Sequence, residues 1–160
     1  MIHIRRAGAL DCTAMAELLN QIIARGGTTA LTRPVSGDDL GAWMRSDPRA
    51  VWHIAEDDAG LLLGFQWVEP HPELGPQVAQ IASFARVGRT GLGIGTRLFE
   101  ATRAAAKAAG YAWINAEIRA DNPGGLAYYQ SRGFEDHGRI EGYRMDDGST
   151  VDKVLKRYDL

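Results

Sequence analysis

The stretch Gly91-Leu92-Gly93-Ile94-Gly95-Thr96-Arg97-Leu98-Phe99 restricts the possible folds more than any other part of the chain. Three glycines at alternating positions follow an apolar, strand-like run and lead directly into an amphipathic helical pattern. Such an order predicts a strand, a tight turn and a helix. Side chains at the alternating positions would keep an anion at a distance, whereas glycine lets successive N–H groups converge on it at the positive end of the helix. The pattern fits phosphate binding, and it also fits a tight strand-to-helix connection with no ligand.

Two familiar phosphate loops differ from it. A dinucleotide fold wants Gly-x-Gly-x-x-Gly with an acidic residue about twenty positions later. Glu117 lies near such a position, but the glycines here alternate at 91, 93 and 95, and about ninety residues of helix and hairpin pattern precede them. No Lys-Ser/Thr pair follows the glycines, which excludes a nucleotide-triphosphate loop.

With 160 residues, 45% hydrophobic and 24% charged, the chain can bury one ordinary core, so residues 1–160 are expected to form a single domain. Its net charge of −2 gives no general attraction to nucleic acid or to an anionic membrane. Cys12 is the only cysteine, which rules out an intramolecular disulfide and a thiolate metal cluster and fits a reducing cytoplasm. No run of about eighteen apolar residues occurs, and Arg5, Arg6, Asp11 and Glu17 break up the first twenty. The expectation is a cytoplasmic protein with no membrane partner.

Ile2 to Arg6 alternates as a short strand, and Met15, Leu18, Leu19, Ile22 and Ile23 repeat at helical spacing until Gly26-Gly27. Ser36 with Asp39 makes a capping-box pattern for a shorter helix through Leu40, Trp43 and Met44, ending before Asp47-Pro48. Val51 to Glu56 and Leu61 to Glu69 read as strands joined across Asp57-Asp58-Ala59-Gly60. Pro70 to Pro76 reads as a loop, Gln77 to Ala85 as a strand, and Gly93 to Ala109 as a helix capped by Gly110. Ala112 to Ile118 is a further strand and Gly124 to Arg132 a short helix; the Asp147-Gly148 turn joins two last strands between about Arg139 and Tyr158. Trp43, Trp52, Trp67 and Trp113 all fall within apolar patterns and are expected in the core. The order is β-α-α-β-β-β-α-β-α-β-β.

About thirty residues after the glycines stands a second marker, Asn122-Pro123-Gly124-Gly125-Leu126-Ala127-Tyr128-Tyr129-Gln130-Ser131-Arg132-Gly133-Phe134. Together the two stretches resemble the Gcn5-related N-acetyltransferase (GNAT) family. The first is similar to its Arg/Gln-Gly-x-Gly-x-Gly/Ala pyrophosphate loop and the second to its Asn-x-x-Ala…Tyr…Gly-Phe ending. The element order is also the family's, so the resemblance covers nearly the whole chain. It implies an α/β fold with a mixed central sheet flanked by helices, and acetyl-coenzyme A as co-substrate without a metal. By this resemblance Gly91, Leu92, Gly93, Ile94, Gly95 and Thr96 cradle the pyrophosphate, Phe84, Ala85 and Arg86 lie beside the pantetheine arm, and Asn122 bonds to the coenzyme. Thr90 stands where the family usually has Arg or Gln, with Arg89 beside it; Arg97 and Arg103 are further candidates for the phosphates.

Counted from Asn122, Tyr129 matches the family's tyrosine, placed where a phenol can protonate a departing thiolate. Tyr128 points about 100 degrees away on the same helix and is expected to pack. Asn122 is equally suited to capping the helix that follows it. The attacking amine needs a base, and Glu117, Glu69, His71 or an ordered water are the candidates. Gln80 occupies the strand position where relatives of the phosphinothricin acetyltransferase type carry an acid, and an amide cannot take the proton. His3, His53, His71 and His137 show no metal-binding spacing. The expected reaction is acetylation of a primary amine on a small, amino-acid-like acceptor by direct attack in a ternary complex. Asn20, Gly26 to Pro34 and Trp67 to Pro70 loosely resemble the phosphinothricin type, and the loops Gly26 to Pro34 and Pro70 to Pro76 are expected to shape the acceptor pocket. A non-catalytic coenzyme A-binding module, a nicotinamide-dependent oxidoreductase and a homodimeric assembly stay open.

Overall fold

The computed structural model describes residues 1–89 and 93–160. Its elements follow in the order β1 (His3–Arg6), α1 (Cys12–Arg25), α2 (Gly37–Arg45), β2 (Val51–Glu56), β3 (Leu62–His71), β4 (Gly75–Ala85), α3 (Ile94–Ala108), β5 (Trp113–Arg119), α4 (Pro123–Ser131), β6 (Glu135–Arg144) and β7 (Thr150–Asp159), with a 3-10 turn at Ala9–Asp11 before α1. This is the expected order. The seven strands form one sheet, β1-β2-β3-β4-β5-β7-β6, in which β4 and β5 are parallel and the other neighbours antiparallel. A parallel dinucleotide-binding sheet is thereby excluded, since such a domain stacks successive parallel β-α-β units.

Alternation along the strands divides the core into two layers. Trp52, Ile54, Phe65 and Trp67 point to one face and pack against Met15, Leu18, Leu19 and Ile22 of α1 and Leu40 of α2. Val68, Ala79, Ile81, Ile114, Ala116 and Ile118 point to the other and meet Phe99 and Ala106 of α3 and Tyr129 of α4. Trp52 and Trp67 stack with centroids 4.1 Å apart. Ser36 caps α2 as the sequence suggests: its Oγ accepts from Asp39 N at 3.0 Å, and Asp39 Oδ2 accepts from Ser36 N at 2.9 Å.

Three expectations need correction. The loop foreseen over Pro70 to Pro76 is only the three-residue turn between β3 and β4. Pro70 pairs with Ala79 within the ladder, and the His71 ring satisfies the turn, with Nδ1 accepting from Glu73 N at 3.0 Å and Leu74 N at 3.1 Å. The first of the two last strands begins at Glu135, four residues before the expected Arg139. Its residues are poor strand formers, but Glu135 pairs with Arg157 and Asp136 with Lys156, so the partner strand decides. Trp43 and Trp113 are only half-buried; Trp113 lies beneath the Arg157 guanidinium, 4.2 Å from the ring centroid.

Candidate active site

The parallel pair at the middle of the sheet is short. Pairing of β4 with β5 runs from Val78↔Trp113 to Gln80↔Asn115, whereas β4 continues beside β3 to Ala85 and β5 continues beside β7 to Arg119. Past Gln80 the two strands part, and among the described residues Ile81 to Ala85 have no strand partner on the side of the gap. A cavity of about 670 Å³ occupies this gap and draws on both faces of the sheet. From the α1–α2 face come Trp67, Glu69, Gln80, Phe84, Glu117 and Lys153. From the other face come Ile81, Ser83 and Ile118, with Tyr128 and Tyr129 of α4. Thr28 to Leu31 and Trp43 close the first side, so the segment foreseen over Gly26 to Pro34 does contribute, while the Pro72 to Leu74 turn is not among the lining residues. Arg33 instead reaches the carbonyl of Asp146 at 3.5 Å.

The described part of the glycine region starts α3, where Gly95 touches the cavity-lining Tyr128. Gly93 is the N-cap of α3 in the left-handed conformation, φ 76°, and a Cβ there would meet nothing within 4 Å among the described residues. No side chain caps this end and no acidic residue sits in the first turn, so the amides of Ile94, Gly95 and Thr96 stand at a bare helix N-terminus among the described residues. Gly95 is glycine for a different reason than anion approach. A Cβ on it would come within 2.6 Å of Tyr128 Cε1, and the Tyr128 hydroxyl donates to Gly95 O at 2.7 Å, seating α4 on the first turn of α3. Gly91, Leu92 and Thr90 lie outside the described residues. Phe84 lines the cavity, and Ala85 pairs with Gly64 at the end of the β3–β4 ladder. Arg86 turns back to β3, its N and Nε donating to the carbonyls of Leu63 and Leu62 at 2.8 and 2.6 Å. Arg97 likewise donates to Ile2 O, away from the helix start.

Asn122 is both cap and wall. Its Oδ1 accepts from Gly125 N at 3.1 Å, and its Nδ2 donates to Thr28 O at 3.4 Å, tying α4 to the segment after α1. A Cβ on Gly125 would collide with that amide, so glycine makes the cap possible. The two tyrosines behind it differ. Tyr128 gives its one proton to Gly95 and accepts from Gln66 Nε2 at 3.1 Å. Tyr129, more deeply buried, has its oxygen 2.7 Å from Ser83 Oγ, which in turn accepts from Gln66 Nε2 at 2.7 Å. Burial pushes both phenols up in pKa, Tyr129 further, with Ser83 opposing the shift.

Of the candidate bases, Glu69 and Glu117 line the cavity and His71 stands behind Glu117. His71 Nε2 is 3.6 Å from Glu117 Oε2, and its Nδ1 is taken up by the turn, which leaves that ring no free lone pair for an amine. Glu117 is paired with Lys153 at 3.1 Å, and Lys153 also sits over the Tyr143 ring, 3.5 Å from its centroid. Burial raises the pKa of Glu69. Gln80 is engaged elsewhere: its Oε1 accepts from Asn115 Nδ2 at 2.8 Å, and Asn115 Oδ1 meets His137 Nε2 at 2.7 Å. Among the described residues no group of three or more His, Cys, Asp or Glu could hold a metal ion. Ser83, Gln66 and Lys153 were not singled out from the sequence. The hairpin register that sets Gln66 opposite Ser83 was the available signal for the first two.

Comparison with known proteins agrees with this architecture. YwnH of Bacillus subtilis (strain 168), provisionally named a phosphinothricin acetyltransferase, is 26% identical over 98% of this chain and 94% of its own. The L-methionine sulfoximine/L-methionine sulfone acetyltransferase of Pseudomonas aeruginosa is also 26% identical, with the same coverages. Among solved structures, the phosphinothricin acetyltransferase of Sinorhizobium meliloti in complex with AcCoA superimposes with a TM-score of 0.89 at 19% identity, covering 99% of this chain and 88% of that one. The sequence profile of the acetyltransferase (GNAT) family matches residues 16–134, from α1 through the glycine region to Phe134. With both family stretches inside that match and the strands parted where they meet, this chain belongs to the acetyltransferase (GNAT) family.

Proposed function

We propose that this acetyltransferase moves the acetyl group of acetyl-coenzyme A to the primary amine of a small, amino-acid-like acceptor, by direct attack with both substrates bound. The observation that carries the reading is the cavity through the parted strands, reached by an open strand edge on one wall and by Tyr129 on the other. The residues present fit a coenzyme. A peptide-like pantetheine can pair with the free edge at Ile81 to Ala85 as an added strand would, and a pyrophosphate suits the uncapped α3 terminus at Gly93, Ile94, Gly95 and Thr96. Acetyl-coenzyme A, when bound, supplies an activated acetyl carbonyl and a thiol leaving group.

The chain's own contribution is placement and proton management. A main-chain N–H near Phe84, free of β5, can polarise a carbonyl aimed at it. Tyr129 holds a proton at its buried Oη, the group suited to protonate a leaving sulfur. Tyr128 is less suited, its proton being committed to Gly95. Glu69 is the favoured base, directly or through water, because burial makes its carboxylate more basic whereas Glu117 is held by Lys153. Holding both reactants together supplies much of the rate. The relatives' names support an amino-acid-like acceptor. So does the mixed lining of the α1–α2 side, where Lys153 can meet a carboxylate and Trp43 and Trp67 a hydrocarbon chain. The buried free thiol of Cys12 supports a cytoplasmic setting.

The test is a thiol-release screen of acetyl-coenzyme A against amino acids, L-methionine sulfoximine, polyamines and peptides. Release with amino-acid analogues and not with peptides is expected. Coenzyme binding with no release for any amine would indicate a non-catalytic coenzyme-binding module instead.

A further inference from the structure

Gln66 is fully buried in the middle of β3, and its Oε1 has no hydrogen-bond partner among the described residues. An unpaired buried carbonyl is costly, and an apolar side chain would avoid that cost. What the amide provides is its NH2 group, which bridges Ser83 Oγ at 2.7 Å and Tyr128 Oη at 3.1 Å. The direction of these bonds follows from proton counting. Tyr128 spends its only proton on Gly95 O, so it accepts from Gln66, and this fixes which end of the amide faces the two hydroxyls. Ser83 therefore also accepts from Gln66. Its own proton has one acceptor within reach among the described residues, the Tyr129 oxygen at 2.7 Å.

We infer that Ser83, oriented by Gln66, is a positioning residue that donates its hydroxyl hydrogen bond to Tyr129 Oη, leaving the Tyr129 proton free for the cavity and stabilising the phenolate left when that proton is given up. The inference rests on the reading of Tyr129 as general acid. In the step concerned the Tyr129 O–H bond breaks, the proton goes to the departing thiolate sulfur, and the electron pair stays on Oη, where the Ser83 O–H bond strengthens as charge develops. Water returns a proton to Oη before the next turnover. The arrangement answers a problem the site poses, because burial opposes the phenolate. Ser83 lies on the strand whose free edge faces the gap, so one segment both lines the cavity and steadies its acid.

The test combines Ser83→Ala, Ser83→Thr, Tyr129→Phe and the Ser83→Ala/Tyr129→Phe double variant. In the free protein labelled with 13Cζ-tyrosine, with the Tyr129 signal assigned by its loss in Tyr129→Phe, Ser83→Ala should displace that signal and Ser83→Thr should restore it. With saturating acetyl-coenzyme A and the best amine from the screen, Ser83→Ala should lower kcat roughly ten- to a hundredfold, the range of a hydrogen bond to a charged group. The acetyl-coenzyme A KM should change by less than about twofold. In the Tyr129→Phe background the same substitution should cost almost nothing more, since there is no phenolate left to stabilise. An unmoved Tyr129 signal, or an equal loss in both backgrounds, would overturn the role given to Ser83 while leaving Tyr129 as the acid. Full activity of Tyr129→Phe would remove the acid and this inference together.

Discussion

Tyr128 and Tyr129 show what one residue of register decides. They are neighbours on α4 with ring centroids 4.9 Å apart, yet one hydroxyl is spent on a backbone carbonyl and the other reaches Ser83 at the cavity. Tyr129→Phe removes only the hydroxyl and should lower kcat by at least roughly tenfold, since general acids typically contribute about 100- to 10,000-fold and water can partly replace them. Tyr128→Phe should keep most of its activity and lose about 1 kcal/mol of stability with the bond to Gly95, read by chemical unfolding. The opposite ranking in kcat would mean that the neighbouring ring is the acid. Glu69 gives a prediction in pH. Its pKa is raised, and only the deprotonated carboxylate can act as a base, so kcat should fall on the acid side at a pH above the ordinary range for glutamate. Glu69→Gln should abolish that limb; an unchanged profile would point to Glu117 or to water alone. At this scale the sequence was informative where spacing counts. Counting from Asn122 separates Tyr129 from its neighbour, whereas no local pattern shows that Gln66, many residues away, would bond to Tyr128 and to Ser83, the partner of Tyr129.

Elements were legible wherever periodicity was strong, as in α1 and α3, and less so where a partner strand or a single side chain supplies what local preference lacks. Prolines at 70, 72 and 76 look like a loop, but the His71 ring lets β3 run on by capping the turn itself. Exposed, glycine-containing β6 is a strand because β7 holds it. The parting of β4 and β5 leaves no signature in either strand's sequence, since it depends on where a ladder between distant segments stops. Within the glycine region two positions serve different ends, and substitution can separate them. Gly93→Val places a branched side chain at φ 76° beside the first amides of α3, so it should abolish the thermal-shift response to coenzyme A. In the unsubstituted protein, ligand at about a hundred times its dissociation constant should stabilise the fold by roughly 2.7 kcal/mol. Gly95→Ala should act differently, since its methyl group meets the Tyr128 ring and must displace it. Stability without ligand should fall along with the ligand response. An unchanged response in folded Gly93→Val would remove the coenzyme from this helix terminus.

For the molecule as a whole, the two faces of the sheet divide the work. Helices α3 and α4 cover one face and bring the bare helix terminus and the tyrosines; α1, α2 and the segment between them cover the other and bring Thr29, Leu31 and Trp43. Since the cavity passes between β4 and β5, donor and acceptor can enter from opposite sides and meet in the gap, with no need for one to leave before the other arrives. Trp43 tests this division. It sits at the cavity wall on α2, tilted against Trp67 with centroids 6.2 Å apart. Trp43→Ala removes an aromatic surface worth about 1 kcal/mol or more to an apolar acceptor chain, so the acceptor KM should rise roughly fivefold to tenfold. The acetyl-coenzyme A KM should stay within about twofold, because the open edge of β4 and the start of α3 are untouched. Gly93→Val should show the reverse pattern in the same assay. If Trp43→Ala raised both constants equally, the two ligands would share a wall and the division by faces would fail. If neither moved, the acceptor would sit farther along the cavity, toward Glu117 and Lys153, and the amino-acid carboxylate rather than the side chain would dominate its recognition.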